Sequence, residues 1–356
     1  MVKQFETKYG YFDKEGKEYV ITRPDTPKPW VNIICPGDYG LAISQGGSGY
    51  SWRTHASVNR LNRWEQDLIK DEWGKFIYCR DNKTGEYWSL GWQPVKAKPD
   101  FYECHHGFGY TTIESANKGI RSSLSVFVPP DEPLELWRIK LANKSSETRE
   151  LSLFSYFELC LGMSPDSHRE FHRLFIETEY SAVAHSLLAT KRLWTIGNDK
   201  GQAWNRNWEF YAFHSVNVVP VSWDTDKEKF IGQYGSLDKP AALSRQKLSN
   251  HTGKWQDGIA SLQTTVLLEP GRETEMIFTL GIAKSKQEAL RYARKYHRLD
   301  AADKAYQKTL KFWEDILAPL RVETPDTAFN ILTNGWLKYQ SISARSWGRT
   351  GYFQTG

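Results

Sequence analysis

Residues His168 to Arg173 combine side chains that could act on a polar ligand. Two histidines, two arginines and a glutamate fall within these six positions (H-R-E-F-H-R). His168 and His172 are four residues apart, a spacing that suits a metal only on a helix, whereas the following residues 174–180 (L-F-I-E-T-E-Y) favour a strand, so we expect no metal here. The segment is then either the solvated edge of a charged strand or a site that recognises a sugar hydroxyl or a carboxylate.

A second segment, Ser44 to Arg53 (S-Q-G-G-S-G-Y-S-W-R), is rich in glycine and carries two aromatic residues. No G-K-[ST] sequence and no helix signal follow it, so it is not a phosphate-binding loop of the P-loop type. Its spacing favours a hairpin between two strands. The alternative is a mobile loop that presents Tyr50, Trp52 and Arg53 to a sugar, because aromatic faces stack on pyranose rings and guanidinium groups donate to hydroxyls.

A third segment, residues 345–356, places Arg345 and Arg349 among glycines and aromatic residues at the end of a predicted helix. It is either a helix C-cap or one wall of an anion site. The tryptophan-rich residues 194–213 carry no acid, base or nucleophile arrangement, and we interpret them as loop and core packing. No catalytic Ser/His/Asp order, Cys/His pair or carboxylate pair emerges, so the sequence predicts no assembled active site.

Composition narrows the class of protein. The 356 residues carry a net charge of +5 without a basic block, which argues against a nucleic-acid partner. A mean hydropathy of -0.60 leaves no room for a membrane span. Aromatic residues make up 14% of the chain, enough for an aromatic core or for sugar-stacking platforms. The N-terminus lacks an apolar signal and the four cysteines lack metal or disulfide spacing, so we expect free thiols, no metal and a cytoplasmic location.

The secondary structure that must position these segments is predicted to change from strands to helices along the chain. Residues 5–283 are a succession of short alternating runs separated by turn residues, the pattern of a large antiparallel sandwich. Ser285, with Glu288 three residues later, predicts a capped helix start. The sequence therefore predicts a β domain over 1–284 and a helical linker over 285–318.

The last part, 319–356, is predicted to begin a further domain. Asp326 can cap a third helix that runs from 327 to about 346. That helix would leave Phe329, Leu332, Trp336 and Tyr339 exposed unless further helices cover them. It is therefore expected to be the front of a longer helical domain.

Several motifs together resemble the start of glycoside hydrolase family 94, the cellobiose/chitobiose phosphorylase family once classed as glycosyltransferase family 36. The resemblance runs from end to end of the chain and corresponds to the N-terminal portion of the family. The motifs that carry it are Tyr9–Asp13 (Y-G-Y-F-D), Glu18–Pro27 (E-Y-V-I-T-R-P-D-T-P), Gly47–Trp52 (G-S-G-Y-S-W), Asn334–Gln340 (N-G-W-L-K-Y-Q) and Arg349–Gln354 (R-T-G-Y-F-Q).

The resemblance implies a mainly β fold: a large antiparallel β super-sandwich, then a helical linker and the first helix of an incomplete (α/α)6 barrel. It implies an inverting phosphorylase that cleaves a β-linked gluco-disaccharide or oligosaccharide with inorganic phosphate and gives an α-sugar 1-phosphate. Phosphate is then a co-substrate, no cofactor is expected, and the enzyme is expected to be a homodimer. The general-acid aspartate is expected beyond Gly356, so the fragment itself is expected to be inactive.

The resemblance also assigns roles to particular residues. It places Arg349, Tyr352 and Gln354 near the phosphate and the donor sugar, with Phe353 replacing the commoner tyrosine. It places His172 and Arg173 at the acceptor sugar, where histidine departs from the cellobiose-type pattern. A further group would lie on a loop that reaches the active site of the neighbouring subunit: Ser48, Tyr50, Trp52 and Arg53.

A second hypothesis belongs to a different class. The chain could be a non-catalytic carbohydrate-binding β-sandwich module that binds β-glucan on tryptophan and tyrosine platforms.

Overall fold

The computed structural model describes residues 3–163, 170–193 and 207–349, and in that part of the chain it is dominated by β-strands. Turn residues separate the strands, as the sequence pattern indicated. The strands are β1 Gly10–Phe12, β2 Glu18–Ile21, β3 Val31–Ile34, β4 Tyr39–Ser44, β5 Gly49–Arg53, β6 Arg60–Asn62, β7 Lys75–Asp81, β8 Tyr87–Ser89, β9 Phe101–Gly107, β10 Tyr110–Asn117, β11 Ile120–Phe127, β12 Leu134–Asn143, β13 Arg149–Gly162, β14 Ile176–Ser181, β15 Ser186–Lys191, β16 Tyr211–Val216, β17 Ser222–Asp226, β18 Gly258–Leu268 and β19 Glu273–Ala283.

The strands form two antiparallel sheets that pack face to face. One sheet has ten strands in the order β1-β2-β9-β10-β11-β12-β19-β16-β15-β14. The other has nine, in the order β17-β18-β13-β6-β5-β4-β3, with β7 pairing both β13 and β8. The main apolar core lies between the sheets and includes Leu41, Trp137, Phe157 and Phe278. The predicted large antiparallel sandwich is confirmed.

The first four residues of strand β12 are buried on both faces, although the sequence alternates as if one face were exposed. Trp137 and Ile139 belong to the core between the sheets. Leu134 and Leu136 pack instead in a second cluster with Ala289 of the linker. The linker helices therefore cover the outer face of the ten-stranded sheet and close a second core.

Helices follow the sandwich, with short ones inside it. The α-helices are α1 Lys227–Ile231, α2 Lys286–Lys295, α3 Leu299–Leu317, α4 Thr327–Ile331 and α5 Leu337–Gln340; the 3-10 helices are Glu170–Phe175, Ala182–Ala184 and Ala241–Ser244; and two π-helical segments are Leu332–Trp336 and Ser341–Gly348. Among the residues described, no helix is both long enough and apolar enough to cross a membrane.

Both predicted helix caps are present. The Ser285 hydroxyl accepts a hydrogen bond from the Glu288 amide at 3.2 Å, and the Asp326 carboxylate accepts one from the Phe329 amide at 3.1 Å. These bonds satisfy amides that have no partner inside the helix. All four cysteines are free, as predicted.

Two predictions about local structure were wrong. Residues 174–180 were expected to form a strand, with the charged segment before them as a possible strand edge, but Glu170–Phe175 is a 3-10 helix and strand β14 starts only at Ile176. The reason is pairing: Ile176 lies opposite Lys191, the last residue of β15, so no strand of the described residues continues that pairing before Ile176.

The exposure predicted for the third helix was also partly wrong. Trp336 and Tyr339 are buried, at 8% and 2% exposure, while Phe329 and Leu332 remain exposed. The buried pair packs on the sandwich: the Trp336 indole donates to the Gly16 carbonyl at 2.8 Å, and the Tyr339 hydroxyl bonds Asn32 at 2.9 Å. The sandwich therefore covers one face of this helix.

A buried ion pair connects the two sheets. The Lys75 ammonium, on β7, lies 2.5 Å from the Glu135 carboxylate, on β12 of the other sheet, and their side chains are 6% and 0% exposed. Tyr39 and Trp137 donate to the same carboxylate at 3.0 and 2.6 Å, and Ser51 contacts both charges. Burial lowers the pKa of Lys75, and the Glu135 charge opposes that shift.

We expect Lys75→Met to lower the free energy of unfolding by about 3–5 kcal/mol, because it leaves a buried carboxylate without its counter-ion. Adding Glu135→Gln should restore part of the loss, since the amide is uncharged. Urea denaturation measures both. Exposed Lys140→Met on β12 is the control, with a change within about 0.5 kcal/mol. A loss below about 1 kcal/mol for Lys75→Met would show that the pair is not what joins the sheets.

Candidate functional site

The glycine-rich segment is a hairpin rather than an open loop. Strands β4 and β5 pair antiparallel, with Ala42 opposite Tyr50 and Gly40 opposite Trp52. Gly49 has a φ of 139° and sits so close to the Ala42 carbonyl that a Cβ would overlap it. The sequence needs glycine here to bring the strands together, as the hairpin interpretation required.

The aromatic residues of the hairpin point into the protein. Tyr50 and Trp52 are both 0% exposed. The Tyr50 ring lies 4.9 Å from that of Trp64 and under the Arg60 guanidinium at 4.1 Å. Burial raises the pKa of Tyr50 to about 12. The mobile-loop interpretation is therefore wrong for this chain, since neither ring has a face that a sugar could reach.

Arg53 is the member of this group that reaches the surface. Its guanidinium donates to the Asp38 carboxylate at 2.6 Å and lies 5.2 Å from the Phe210 ring. Ser48 is 2% exposed and its hydroxyl bonds Asp71. Whether the hairpin serves a neighbouring subunit stays a prediction; Arg53, whose side chain is 14% exposed, is the least buried of these residues.

Asp71 holds the turn of the hairpin. Its carboxylate accepts hydrogen bonds from Ser44, at 2.8 Å, and from Ser48. Burial raises the pKa of Asp71 to about 6, although the two hydroxyls oppose the shift. The folded protein therefore binds a proton at Asp71 more tightly than the unfolded chain does.

His172 and Arg173 lie on the 3-10 helix that precedes β14. His172 is buried, with its ring 6.4 Å from that of Phe175. Arg173 is partly exposed, and its Nη1 lies 3.6 Å from the Asp257 carboxylate. Of the two, Arg173 is the more exposed.

Asp257 joins Arg173 to a cluster of charges that the sequence did not reveal. Lys227 lies 3.9 Å from Asp257 and 2.7 Å from Glu158. Glu158 also pairs with Arg63 at 3.2 Å. We call Arg63, Glu158, Arg173, Lys227 and Asp257 the charged cluster.

Trp73 connects the charged cluster to the hairpin. The Arg63 guanidinium and the Lys227 ammonium lie 4.3 and 5.7 Å from its ring centroid. Trp73 also packs against the buried aromatic cluster of Tyr50, Trp52 and Trp64. Cations and carboxylates beside an aromatic ring can donate and accept hydrogen bonds with sugar hydroxyls while the ring stacks on the sugar.

The end of the C-terminal helical path reaches the same aromatic cluster. Ala344 and Trp347 pack against it, and Arg349 follows two residues later, exposed and with a left-handed φ of 44°. Tyr352 and Gln354 lie outside the described residues. The hairpin, Trp73 beside the charged cluster and the helical residues that precede Arg349 thus meet at one aromatic cluster.

The role of Asp71 in the turn of the hairpin can be tested through the pH dependence of stability. Because the folded pKa of Asp71 is raised above its ordinary 3.8 to about 6, its contribution to stability is present below pH 4 and is lost as the pH rises through 6, by up to about 3 kcal/mol. Asp71→Asn should flatten the melting temperature over this range. Exposed Asp315→Asn should leave the profile unchanged, and an unaltered profile for Asp71→Asn would contradict the assignment.

Two family descriptions match the chain. The description "Glycosyl hydrolase 94, supersandwich domain" matches residues 17–299. The description "Glycosyl hydrolase 94 superfamily, catalytic domain" matches residues 312–356. Together they follow the order of a sandwich and then a helical domain.

Individual relatives agree with these matches. The chain is 30% identical over 348 residues to an N,N'-diacetylchitobiose phosphorylase of Vibrio proteolyticus, covering 97% of this chain and 42% of the relative. It is 33% identical over 346 residues to a 3-O-beta-D-glucopyranosyl-beta-D-glucuronide phosphorylase of Paenibacillus borealis, covering 94% and 41%. The chain thus spans about two fifths of these relatives' length.

Among solved structures, a bacterial glucoamylase complexed with acarbose shares the fold, with a TM-score of 0.51 and 10% identity, covering 91% of this chain and 43% of that one. That likeness concerns the fold alone. The match over 17–299 includes most of the chain and both sheets of the sandwich. The chain belongs to glycoside hydrolase family 94 and corresponds to the N-terminal portion of its members.

Proposed function

We propose that this chain is the N-terminal part of an inverting phosphorylase that cleaves a β-linked gluco-disaccharide or oligosaccharide with inorganic phosphate and releases an α-sugar 1-phosphate. The observation that carries the proposal is the family match over both domains, together with curated relatives that are phosphorylases. Phosphate supplies the nucleophile, so the reaction requires no cofactor.

The reaction follows from single displacement at the anomeric carbon. A phosphate oxygen attacks this carbon from the α face while a carboxylic acid protonates the glycosidic oxygen. The carbon–oxygen bond to the acceptor breaks, a bond to phosphate forms, and the proton remains on the acceptor hydroxyl. Phosphate thus takes the place that water occupies in an inverting hydrolase.

Arg349 is proposed to hold the phosphate. Its guanidinium can donate two parallel hydrogen bonds to a phosphate dianion. Arg349 is exposed at the end of the helical path, two residues after Trp347, which packs on the aromatic cluster. Tyr352 and Gln354 are proposed to shape the same pocket, on the strength of the family motif.

His172 and Arg173 are proposed to meet the acceptor sugar. Arg173 supplies donors and its neighbour Asp257 supplies acceptors, 3.6 Å apart, which together match the donor and acceptor capacity of a sugar hydroxyl. His172 is buried, so we propose that it positions the neighbouring Arg173 rather than contacting the sugar itself.

The complete enzyme is proposed to be a cytoplasmic homodimer in which the β4–β5 hairpin approaches the neighbouring subunit's site. The general-acid aspartate is proposed to lie in a part of the catalytic domain other than the 45 residues matched here, 312–356. The 356-residue chain alone should then release no sugar phosphate.

The proposal is tested on a polypeptide that carries this chain together with a complete catalytic domain. Incubation of a β-linked disaccharide should give α-sugar 1-phosphate only when phosphate is added, and proton NMR of the first product reports the anomeric configuration. Release of free sugar from both halves without phosphate would identify a hydrolase instead.

In the same polypeptide, Arg349→Lys keeps the charge but loses the two-pronged geometry. We expect the KM for phosphate to rise about tenfold, the equivalent of one charged hydrogen bond. The KM for the disaccharide should change less. Exposed Arg321→Lys is the matched control. Unchanged phosphate kinetics in Arg349→Lys would remove Arg349 from the phosphate site.

A further inference from the structure

A cavity of about 620 Å³ opens on the sandwich beside the charged cluster. Its walls come from three separate parts of the chain: residues 72–73, residues 93–96 and the 232–238 loop after α1. Glu158, Lys227 and Asp257 of the charged cluster also line it. The cavity is therefore built entirely from described residues of the β domain and needs no part of the catalytic domain.

Two buried acceptor atoms among the lining residues lack a hydrogen-bond partner within the described structure. They are Oδ1 of Asp257 and Oε1 of Gln93. The other oxygen of Asp257 faces Arg173, and the Gln93 amide nitrogen donates to the Lys70 carbonyl at 2.7 Å. Both side chains are thus fixed in place with one acceptor left over, and a buried acceptor gains from a ligand that donates hydrogen bonds.

An aromatic residue stands at the rim of the cavity. Tyr234 is 98% exposed and has a left-handed φ of 59°. A hydrogen bond from the Gly235 amide to the Gly232 carbonyl, at 3.0 Å, holds the turn that carries it. A bulky residue in this conformation is strained, and such strain concentrates at binding sites. The loop thus presents a whole tyrosine ring to solvent at an energetic cost.

The charge of the lining selects among ligands. Five carboxylates and two lysines line the cavity, and Arg63 and Arg173 pair with two of those carboxylates, which leaves a net charge of -1. The remaining excess of carboxylates disfavours phosphates, uronic acids and other anions. A neutral polyhydroxylated ligand can donate to the acceptors and stack on the ring.

We propose that this cavity is a saccharide-binding site of the β domain, which takes a neutral pyranose oligosaccharide with one ring stacked on Tyr234 and its hydroxyls donating to Asp257 and Gln93. The site goes beyond the proposed phosphorolysis, although it shares Asp257 with the proposed acceptor position. It would hold sugar in the 356-residue chain, without phosphate and without turnover.

Isothermal titration of the 356-residue chain with cellotriose tests the site. We expect millimolar binding, weakened about five- to tenfold by Tyr234→Ala and retained by Tyr234→Phe, which keeps the ring. Tyr234 is 98% exposed, so Tyr234→Ala should fold. Glucuronic acid should not compete. Phe329→Ala removes an exposed aromatic residue elsewhere and is the matched control.

Absence of cellotriose binding, or equal affinity in Tyr234→Ala and the parent chain, would overturn the site. A change of oligomeric state in Tyr234→Ala without a change in sugar affinity would show that the ring contacts protein instead. None of these results bears on phosphate-dependent cleavage by the polypeptide with a complete catalytic domain, so the two proposals fail separately.

Discussion

The fold depends on one buried charge pair between the sheets. Lys75 and Glu135 come from different sheets, and the hydroxyls of Tyr39 and Ser51 complete the coordination of the carboxylate. Charges this deep are tolerated only when every polar atom has a partner. A shift of β4, β5 or β7 by one residue would turn these side chains to the other face. The pair therefore favours one register for the sandwich.

That register also assembles the candidate site. In β5, Ser51 points to the ion pair, so its neighbours Tyr50 and Trp52 must point to the opposite face of the nine-stranded sheet. There they form the aromatic cluster on which Trp73 and Trp347 pack. The same alternation that buries the network between the sheets thus prepares the surface that receives the helical domain.

The sequence alone predicted the features that depend on residues close together along the chain. Strand alternation predicted the sandwich, and Ser285 and Asp326 predicted helix starts, because a cap needs only residues three apart. It failed where distant residues decide. Nothing near residue 171 shows that β15 ends too early to pair with it, and nothing in the hairpin shows that Arg60 and Trp64 will cover Tyr50. Asp257 lies far from Arg173 in sequence, so no sequence motif could reveal the charged cluster.

The C-terminal helical path is fastened to the sandwich by specific bonds rather than by apolar contact alone. The Tyr339 hydroxyl forms a hydrogen bond with Asn32 and accepts one from the Gly109 amide. The Cys35 amide donates a hydrogen bond to the Ser343 hydroxyl. A helix held this way cannot act as a hinge, and its melting should be coupled to that of the strands beneath it. Anyone recombining sandwiches and catalytic domains within the family would therefore have to place the junction after this helix, so that it travels with the strands to which it is bonded.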